Sequence, residues 1–322
     1  MQRRNPMRTA LITGGAGFIG SHLAEALLAN GWGVHVIDNL STGAIANLDA
    51  VRDREELEVH LDDMENRGLL MELIDRADVV FHLAAAVGVK LIVEDPVRTI
   101  ETNIYGTEIL LKHCSKKGKK VVLASTSEVY GKGAKDRFSE EDDLVFGPTT
   151  RTRWSYGCSK AIDEFLALAY QDSRSLPVVI LRFFNTVGPR QVGRYGMVVP
   201  RFVEQALNGE PITVYGDGQQ VRCFTHVRDV VRATCALTDC PEAVGEIYNV
   251  GSGRPVTIQQ LAERVQTLVN PEAPIAHIPY EEAYGPGFED IRVRVPDVAK
   301  LKETIGFEPT ADLDRIILDV RD

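Results

Sequence analysis

The chain carries, at residues 9–20, the sequence TALITGGAGFIG, in which a short apolar run leads directly into closely spaced glycines. Residues 9–13 have the apolar character of a buried β-strand. Residues 21–30 follow with apolar side chains on one side, which is typical of an amphipathic helix. A strand that turns sharply into a helix needs residues without side chains, so these residues predict a strand–turn–helix unit.

The spacing of the glycines predicts that this turn binds a dinucleotide. Gly14, Gly17 and Gly20 would let a pyrophosphate approach the backbone, and the helix N-terminus would offer it free N–H groups. A second predicted strand, residues 33–37, ends at Asp38. A carboxylate there accepts hydrogen bonds from ribose hydroxyls and repels a 2′-phosphate, so the sequence favours NAD over NADP.

The composition is typical of a globular enzyme of about two domains. The 322 residues are 44% hydrophobic, and a net charge of −10 argues against a nucleic-acid surface and against contact with an anionic membrane. No apolar run is long enough to span a membrane. The five cysteines form no C-x-x-C pair and the seven histidines show no ligand spacing, so we expect reduced thiols, a cytoplasmic location and no metal. His82 lies in an apolar run and is expected to be a core residue.

Strand-like and helix-like segments alternate through the first half of the chain. This alternation predicts a Rossmann-like, doubly wound parallel sheet with helices on both faces, that is, an α/β fold. Prolines break the pattern in the second half, which indicates a smaller C-terminal α/β lobe that binds substrate. We expect the NAD-binding domain over residues 1–184 and the lobe over residues 185–322, interleaved with it. Further predicted segments are strands at residues 78–85, 120–125 and 178–183 and helices at residues 97–116 and 156–172.

Tyr156 and Lys160 form a candidate proton-transfer pair. They are four residues apart and would share one face of a helix. An ammonium near a phenol favours the phenolate, so we expect the pKa of Tyr156 to fall from about 10 toward neutrality. The strand that ends at Ser125 and Thr126 could add a hydroxyl. This trio could take a proton from a sugar hydroxyl while hydride leaves the same carbon for NAD.

With the glycine turn, the Ser125–Thr126 strand end and the sequence YGCSK at residues 156–160 in this order, the chain resembles the extended short-chain dehydrogenase/reductase superfamily, in particular its enzymes of nucleotide-linked sugars. The resemblance implies NAD as cofactor, a UDP-sugar as substrate, and a homodimer formed by the two predicted helices at residues 97–116 and 156–172. A set of apolar residues on the first helix would suit that contact, although burial against the sheet explains them almost as well. They are Ile104, Ile109, Leu110 and Leu111.

The resemblance also implies roles for individual residues. Asn103 would support the catalytic trio, Asn185 would touch the sugar nucleotide, and Arg222 would bind its diphosphate, for which a guanidinium fork is suited. The residues implied for the cofactor are Gly14, Gly17, Phe18, Ile19, Gly20, Asp38, Asn39, Asp62, Leu83, Ala84, Ala85, Asn103, Ser125, Tyr156 and Lys160. The residues implied for the substrate are Asn185, Arg190, Val199, Arg201, Thr213, Tyr215, Gln220, Arg222 and Arg294.

Members of this superfamily oxidise sugar C4 and differ in the step that follows. A 4,6-dehydratase usually carries Thr-Asp-Glu at the strand end, whereas this chain has Ser127 between Thr126 and Glu128 and lacks that proton donor. A 4-epimerase needs only that the keto sugar rotate and accept hydride on its other face, and it fits loosely. In decarboxylation of UDP-glucuronate, Tyr156 and Thr126 could stabilise the enolate that forms as carbon dioxide leaves.

Three segments are similar to decarboxylases. TSEVYG at residues 126–131 resembles the loop of UDP-glucuronate decarboxylases such as UDP-xylose synthase. RTRWSY at residues 151–156 and the segment at residues 284–297 resemble the decarboxylase domain of the bacterial lipid A arabinose-modification enzyme and the plant UDP-apiose/xylose synthases. By this resemblance Arg294 faces the substrate carboxylate or assists protonation, and Glu128 handles the proton delivered to C5. Alternatively, Glu128 could cap or pair with a lysine, and Arg294 could bind a phosphate.

We therefore predict NAD-dependent decarboxylation of UDP-glucuronate to a UDP-pentose or a UDP-4-keto-pentose. The predicted catalytic residues are Thr126, Glu128, Tyr156, Lys160 and Arg294. The alternatives are a 4-epimerase of a UDP-hexose or UDP-hexuronate and, less favoured, a non-catalytic NAD-binding sensor. After Gly147 the chain departs from the xylose-forming decarboxylases, which leaves open whether the 4-keto product is reduced or released.

Overall fold

The computed structural model of the chain describes residues 7–86, 96–193, 197–284 and 290–322, so the segment at residues 284–297 lies partly outside the described residues. The strands are β1 (Thr9–Thr13), β2 (Gly33–Asp38), β3 (Leu57–Leu61), β4 (Val79–His82), β5 (Lys120–Thr126), β6 (Val178–Phe183), β7 (Thr186–Val187), β8 (Ile212–Tyr215), β9 (Val221–Cys223), β10 (Thr225–His226), β11 (Glu246–Val250), β12 (Pro255–Thr257), β13 (Ile275–Ile278) and β14 (Val293–Arg294). The helices are α1 (Phe18–Ala29), α2 (Arg67–Arg76), α3 (Pro96–Lys117), α4 (Ser155–Arg174), α5 (Val198–Leu207), α6 (Val227–Asp239), α7 (Ile258–Val269), α8 (Tyr280–Tyr284), α9 (Ala299–Ile305) and α10 (Leu313–Arg321).

A seven-stranded parallel sheet forms the centre of the described structure, with its strands in the order β3-β2-β1-β4-β5-β6-β11. Alternate residues of β1 enter different apolar clusters, Ala10 and Ile12 on one face and Leu11 on the other. Because both faces of the sheet are buried, its strands are apolar runs rather than alternating sequences. The predicted Rossmann-like α/β fold is confirmed.

Helices cover both faces of this sheet. α1 and α6 pack on one face, where Leu23 and Val230 are fully buried. α2, α3 and α4 pack on the other, where Leu73 and Ala167 are fully buried. α3 and α4 also pack against each other, and each extends one or two residues beyond its predicted bounds. None of the described helices combines the length and the apolar character that a bilayer-spanning helix needs.

The outer face of α3 and α4 differs from the one expected. Leu110 and Leu111 are fully buried against the protein's own sheet, so burial explains them and they do not face a second subunit. Ile109 packs against the same cluster, and Ile104 is half-buried. The exposed apolar side chains of the two helices are instead Val97, Ile100, Tyr105, Ile162 and Phe165.

A second, smaller core lies between α5, α7 and α10, where Phe202, Leu261 and Ile317 are buried. Two small sheets accompany it: β8 pairs with β13, and β9 lies between β12 and β14. Between α5 and α7 the chain returns to the large sheet, because α6 packs on α1 and β11 extends the edge of the sheet beyond β6. The two parts are therefore interleaved along the chain.

Candidate active site

A cleft of about 1020 Å³ is lined by residues at the carboxyl ends of the parallel strands and by residues of the second lobe. In open α/β sheets, ligands bind at this edge. Most of the predicted site residues line the cleft. They are Gly14, Gly17, Phe18, Ile19, Gly20, Asp38, Asn39, Asp62, Leu83, Ala84, Ala85, Ser125, Thr126, Glu128, Tyr156, Asn185, Arg190, Val199, Arg201, Tyr215, Gln220, Arg222 and Arg294.

The glycine turn is packed too closely for side chains. Gly14 has a φ of 72°, and a Cβ atom there would lie 2.9 Å from the backbone nitrogen of Ala84. A Cβ atom on Gly20 would lie 2.7 Å from Cα of Gly15. Helix α1 begins within the glycine sequence, three residues earlier than predicted, and its N-cap residue Gly17 has no side chain to cap the first turn. The first N–H groups of α1 are thus available at the cleft, as a phosphate site requires.

Asp38 closes the cofactor region at the end of β2. Its carboxylate accepts hydrogen bonds from the backbone N–H groups of Ala16 (2.9 Å) and Leu40 (2.8 Å), which ties this strand to the glycine turn. Strand β4 ends at His82, earlier than predicted, and Leu83 and the three alanines at 84–86 line the cleft beyond it. A turn without side chains together with a carboxylate at the end of the second strand fits NAD.

Tyr156 at the start of α4 and Thr126 at the end of β5 form the candidate proton-transfer site. Burial raises the pKa of Tyr156 above its ordinary range. The carboxylates of Glu128 and Asp163 raise it further, whereas a hydrogen bond with the Thr126 hydroxyl acts in the opposite direction. The predicted lowering of the Tyr156 pKa is therefore wrong for the protein alone, in which the phenol is an O–H donor at neutral pH.

Lys160 and Asn103 are not among the residues that line the cleft, and both are buried behind it. The Lys160 ammonium donates a 2.7 Å hydrogen bond to Asp163 Oδ2, and both side chains are buried. Asn103 is also buried, where its Oδ1 accepts from the Ala86 N–H (2.8 Å) and its Nδ2 donates to Ser159 Oγ (3.1 Å). Both residues thus support the wall of the cleft from the side of the helices.

Glu128 is held between two arginines. Arg153 Nη1 lies 2.5 Å from Glu128 Oε2, and Arg294 Nη1 donates to Oε1. Burial opposes ionisation of the carboxyl, but the two guanidinium groups outweigh it and lower the pKa of Glu128 to about 2. Glu128 is therefore a carboxylate at neutral pH, and its partners are arginines rather than the lysine considered from the sequence.

Arg153 is a site residue that the sequence analysis missed. It lies in a 3₁₀ turn, Thr152–Trp154, directly before α4, and it lines the cleft although its residue is only 6% exposed. A signal was present in the sequence, since Arg153 precedes Tyr156 by three residues, about one helical turn. The resemblance of residues 151–156 to decarboxylases does not by itself assign a role to Arg153.

The second lobe contributes a hydrogen-bonded network around Arg222. Arg222 Nη2 lies 3.1 and 3.2 Å from the two carboxylate oxygens of Asp290, and the Tyr280 hydroxyl donates to the same carboxylate at 2.7 Å. Gln220 donates to the Tyr280 hydroxyl. Tyr280 and Asp290 also line the cleft and were not among the predicted site residues.

Arg294 links the two halves of the site. Its Nη2 donates to Asn185 Oδ1 at 2.6 Å, while its Nη1 is bound by Glu128. Asn185 in turn donates to the backbone oxygen of Cys223 at 3.1 Å. The guanidinium plane is thereby fixed at the wall of the cleft.

Some of the remaining predicted substrate residues line the cleft, and one lies behind its lining. The Arg201 guanidinium lies 3.9 Å from the centre of the Tyr215 ring and donates to the Thr213 backbone oxygen at 3.1 Å. Thr213 therefore lies behind Arg201 and is not among the residues that line the cleft. Arg190 donates to Ser21 Oγ and pairs with Glu25 in α1, so it belongs to the glycine-turn end of the cleft.

Three histidines, His35, His60 and His82, lie outside the lining of the cleft. His82 bridges Thr13 and Thr107, and burial lowers its pKa to about 3, which confirms it as a neutral core residue. His35 and His60 lie 3.0 and 3.1 Å from Glu58 on neighbouring strands, a juxtaposition that residue spacing did not reveal. Because the Arg76 guanidinium already binds both oxygens of Glu58, this cluster is an ion-pair network rather than a built cation site.

A glycine turn at the end of a parallel sheet, an acidic residue closing the second strand and a tyrosine on a helix beside them define a dinucleotide-binding α/β protein of the short-chain dehydrogenase type. The family model described as GDP-mannose 4,6 dehydratase matches residues 11–320, and the chain belongs to this family.

Known relatives extend over the whole chain. It is 45% identical to UDP-N-acetyl-alpha-D-glucosaminuronate decarboxylase of Bacillus cytotoxicus, with 96% of this chain and 95% of that protein covered. It is 36% identical to UDP-glucuronic acid decarboxylase 4 of Arabidopsis thaliana over 94% of this chain and 65% of the plant protein. The crystal structure of UDP-glucuronic acid 4-epimerase from Bacillus cereus, in complex with UDP-glucuronic acid and NAD, superposes with a TM-score of 0.88 at 30% identity over 98% of each chain.

Proposed function

We propose that the protein is an NAD-dependent decarboxylase of a UDP-linked hexuronate. The observation that carries this proposal is that two guanidinium groups, Arg153 and Arg294, share the single carboxylate of Glu128, which leaves a net positive charge at the wall of the cleft for a substrate carboxylate. Two relatives support it, since they are named as decarboxylases of UDP-N-acetylglucosaminuronate and UDP-glucuronate. UDP-glucuronate and its 2-acetamido analogue are therefore the two substrates to be compared.

The cofactor is NAD, which when bound supplies a hydride acceptor and a positively charged ring that favours the phenolate. The glycine turn receives the pyrophosphate at the start of α1, and the Asp38 carboxylate receives the ribose hydroxyls. Tyr156 Oη takes the proton of the C4 hydroxyl as C4 is oxidised to a ketone. Arg222 and its Asp290–Tyr280 network lie in the substrate lobe, where Arg222 is suited to the diphosphate.

Decarboxylation then follows from the position of the ketone. The C5 carboxylate is β to the C4 carbonyl, so the bond from C5 to the carboxyl carbon can break with loss of carbon dioxide while its electron pair moves onto the C4 oxygen. Tyr156 Oη and Thr126 Oγ1 donate hydrogen bonds to that oxygen. The enolate then collapses back to the ketone as C5 takes a proton from solvent water, which leaves as hydroxide and is neutralised by the buffer. Glu128 carries no proton at neutral pH, so we assign it the orientation of Arg294 rather than delivery of this proton.

A 4-epimerase is the second candidate, because the same tyrosine and threonine would serve C4 oxidation and an epimerase is among the similar structures. A dehydratase is disfavoured, since Ser127 offers no carboxyl at the strand end.

Mass spectrometry of the products distinguishes these functions. The purified protein is incubated with NAD and, separately, with UDP-glucuronate, UDP-N-acetylglucosaminuronate and UDP-glucose, and Tyr156→Phe serves as the inactive control. Loss of carbon dioxide from a uronate supports the proposal. Unchanged mass with inverted C4 would establish the epimerase, and NAD binding without turnover of any sugar would establish a sensor.

A homodimer in the cytoplasm is also proposed. The exposed apolar side chains of α3 and α4 form a candidate contact surface, with Phe165 70% exposed and Val97 64% exposed. A second copy could pack its own α3 and α4 on this surface about a twofold axis. The cytoplasmic location is proposed because the five cysteines are free thiols.

A further inference from the structure

Helix α4 carries a third polar side chain, Asp163, on the face that holds Tyr156 and Lys160. Tyr156, Lys160 and Asp163 follow one another at spacings of four and three residues, which places them on one face of the helix. The Lys160 ammonium donates to Asp163 Oδ2 at 2.7 Å, and the two side chains are 3% and 0% exposed. Removing one partner of such a pair leaves the other as an uncompensated buried charge.

Among the described residues, no other cation competes with Lys160 for this carboxylate. The neighbouring Glu164 is occupied by Arg182, which lies 2.7 Å from it, and by the Ser125 hydroxyl. Burial raises the pKa of Asp163, whereas the Lys160 ammonium and, on the side of α3, the nearby Thr107 hydroxyl act in the opposite direction and favour its ionised form. Asp163 is therefore the counter-ion of Lys160.

The groups beyond Thr107 are neutral and fixed. His82 Nε2 lies 2.9 Å from Thr107 Oγ1, and His82 Nδ1 lies 2.8 Å from Thr13 Oγ1. Because the Thr107 hydroxyl donates to the Asn103 carbonyl oxygen at 2.7 Å, we assign the proton of His82 to Nε2, which donates to Thr107. His82 Nδ1 then accepts from the Thr13 hydroxyl, whose oxygen accepts from the Ala84 N–H. This chain of hydrogen bonds runs from the Asn103 carbonyl through Thr107 and His82 to the glycine turn and holds no further charge.

We propose that Asp163 is a positioning residue that fixes the Lys160 ammonium behind the cleft and sets the pH range over which Tyr156 works. Besides burial, the charged groups that act on Tyr156 include Glu128 and Asp163, which favour the protonated phenol, and Arg294, which opposes them. Because Asp163 does not line the cleft, its effect reaches the substrate only through Lys160 and Tyr156.

The test is the pH dependence of turnover in Asp163→Asn. Loss of the carboxylate removes one charge that raises the pKa of Tyr156 and leaves the ammonium less neutralised, and both effects favour the phenolate. We expect the acidic limb of the kcat/KM profile to move to lower pH by about one unit. Asp172→Asn, which removes an exposed carboxylate from the same helix, should leave the limb in place. If the acidic limb of the kcat/KM profile of Asp163→Asn stays in place or moves to higher pH, the assignment is overturned.

Asp163→Glu gives an independent result if Asp163→Asn does not fold. The charge is kept but the carboxylate moves by one methylene, so the acidic limb should stay while kcat falls about tenfold at unchanged KM because the ammonium is displaced. Wild-type kcat in this variant would also overturn the assignment.

The inference rests on the proposed C4 oxidation, and the two can fail separately. If wild-type protein turns over none of the UDP-sugars, the proposed function has failed. If wild-type turns over but Asp163→Asn keeps its pH profile, only the role of Asp163 has failed.

Discussion

Replacement of Arg153 by methionine tests whether this residue holds the charge of Glu128. Methionine keeps an unbranched side chain in the buried position but removes the guanidinium that lies 2.5 Å from Glu128 Oε2. The fall of the Glu128 pKa from its ordinary value of 4.5 to about 2, at about 1.4 kcal/mol per pKa unit, corresponds to about 3 kcal/mol of stability at neutral pH. Because Arg153 is one of two flanking arginines, we expect the variant to lose roughly half of this contribution.

The contribution of Glu128 to the free energy of unfolding depends on pH. A carboxyl whose pKa is lower in the folded protein stabilises it fully above the unfolded pKa, near 4.5, and loses that contribution as the pH falls through the folded pKa, near 2. In Arg153→Met the pKa of Glu128 should rise, so the free energy of unfolding should change less over this acid range than in the wild type. The variant should also be less stable at neutral pH.

Urea unfolding followed by circular dichroism at several pH values between about 7 and about 2 measures this dependence. The matched control is Arg151→Met, which removes an exposed guanidinium two residues earlier in the same segment. If wild-type and Arg153→Met curves run parallel through the acid range, Arg153 does not maintain the charge of Glu128 and the electrostatic account of the site is refuted.

Three further outcomes are expected. Tyr156→Phe should lower kcat by at least about a hundredfold, as expected for a general acid–base group, whereas Tyr170→Phe near the end of the same helix should retain activity; a near-wild-type rate in Tyr156→Phe would remove the catalytic assignment. Arg294→Lys should reduce uronate turnover by at least about tenfold without weakening UDP binding, because the guanidinium fork is lost; equal weakening of UDP binding in a titration would instead assign Arg294 to a phosphate. Phe165→Glu should convert a dimer to a monomer in light scattering, while Leu207→Glu, at an exposed position of α5, should not; a dimer that survives Phe165→Glu would place the interface elsewhere.

Local sequence signals were sufficient for much of the fold. The strand, glycine turn and helix at residues 9–29 are continuous in the chain, so their geometry follows from apolar periodicity and from the absence of side chains at Gly14 and Gly20. The outward face of α3 was harder to predict, since periodicity alone does not say whether Leu110 meets the sheet or a second subunit.

The site depends more on contacts between distant residues. Glu128 and Arg294 are 166 residues apart, and nothing in the local sequence indicates that they form an ion pair. The spacing of Tyr156 and Lys160 correctly placed them on one helix, but it could not show that burial and two carboxylates raise the pKa of the phenol. Asp163 was within reach of sequence reasoning, because it follows Lys160 by three residues on the same helical face.

The return of the chain to the large sheet limits how the protein can be divided. A fragment that stopped at residue 184 would lack β11 and leave β6 as an unpaired edge, with backbone N–H and C=O groups open to another molecule. It would also lack α6, which covers Leu23 and the rest of the apolar side of α1. The nucleotide-binding half is therefore expected to aggregate when expressed separately. A shortened protein without the substrate lobe would have to keep residues 227–250, which contain α6 and β11.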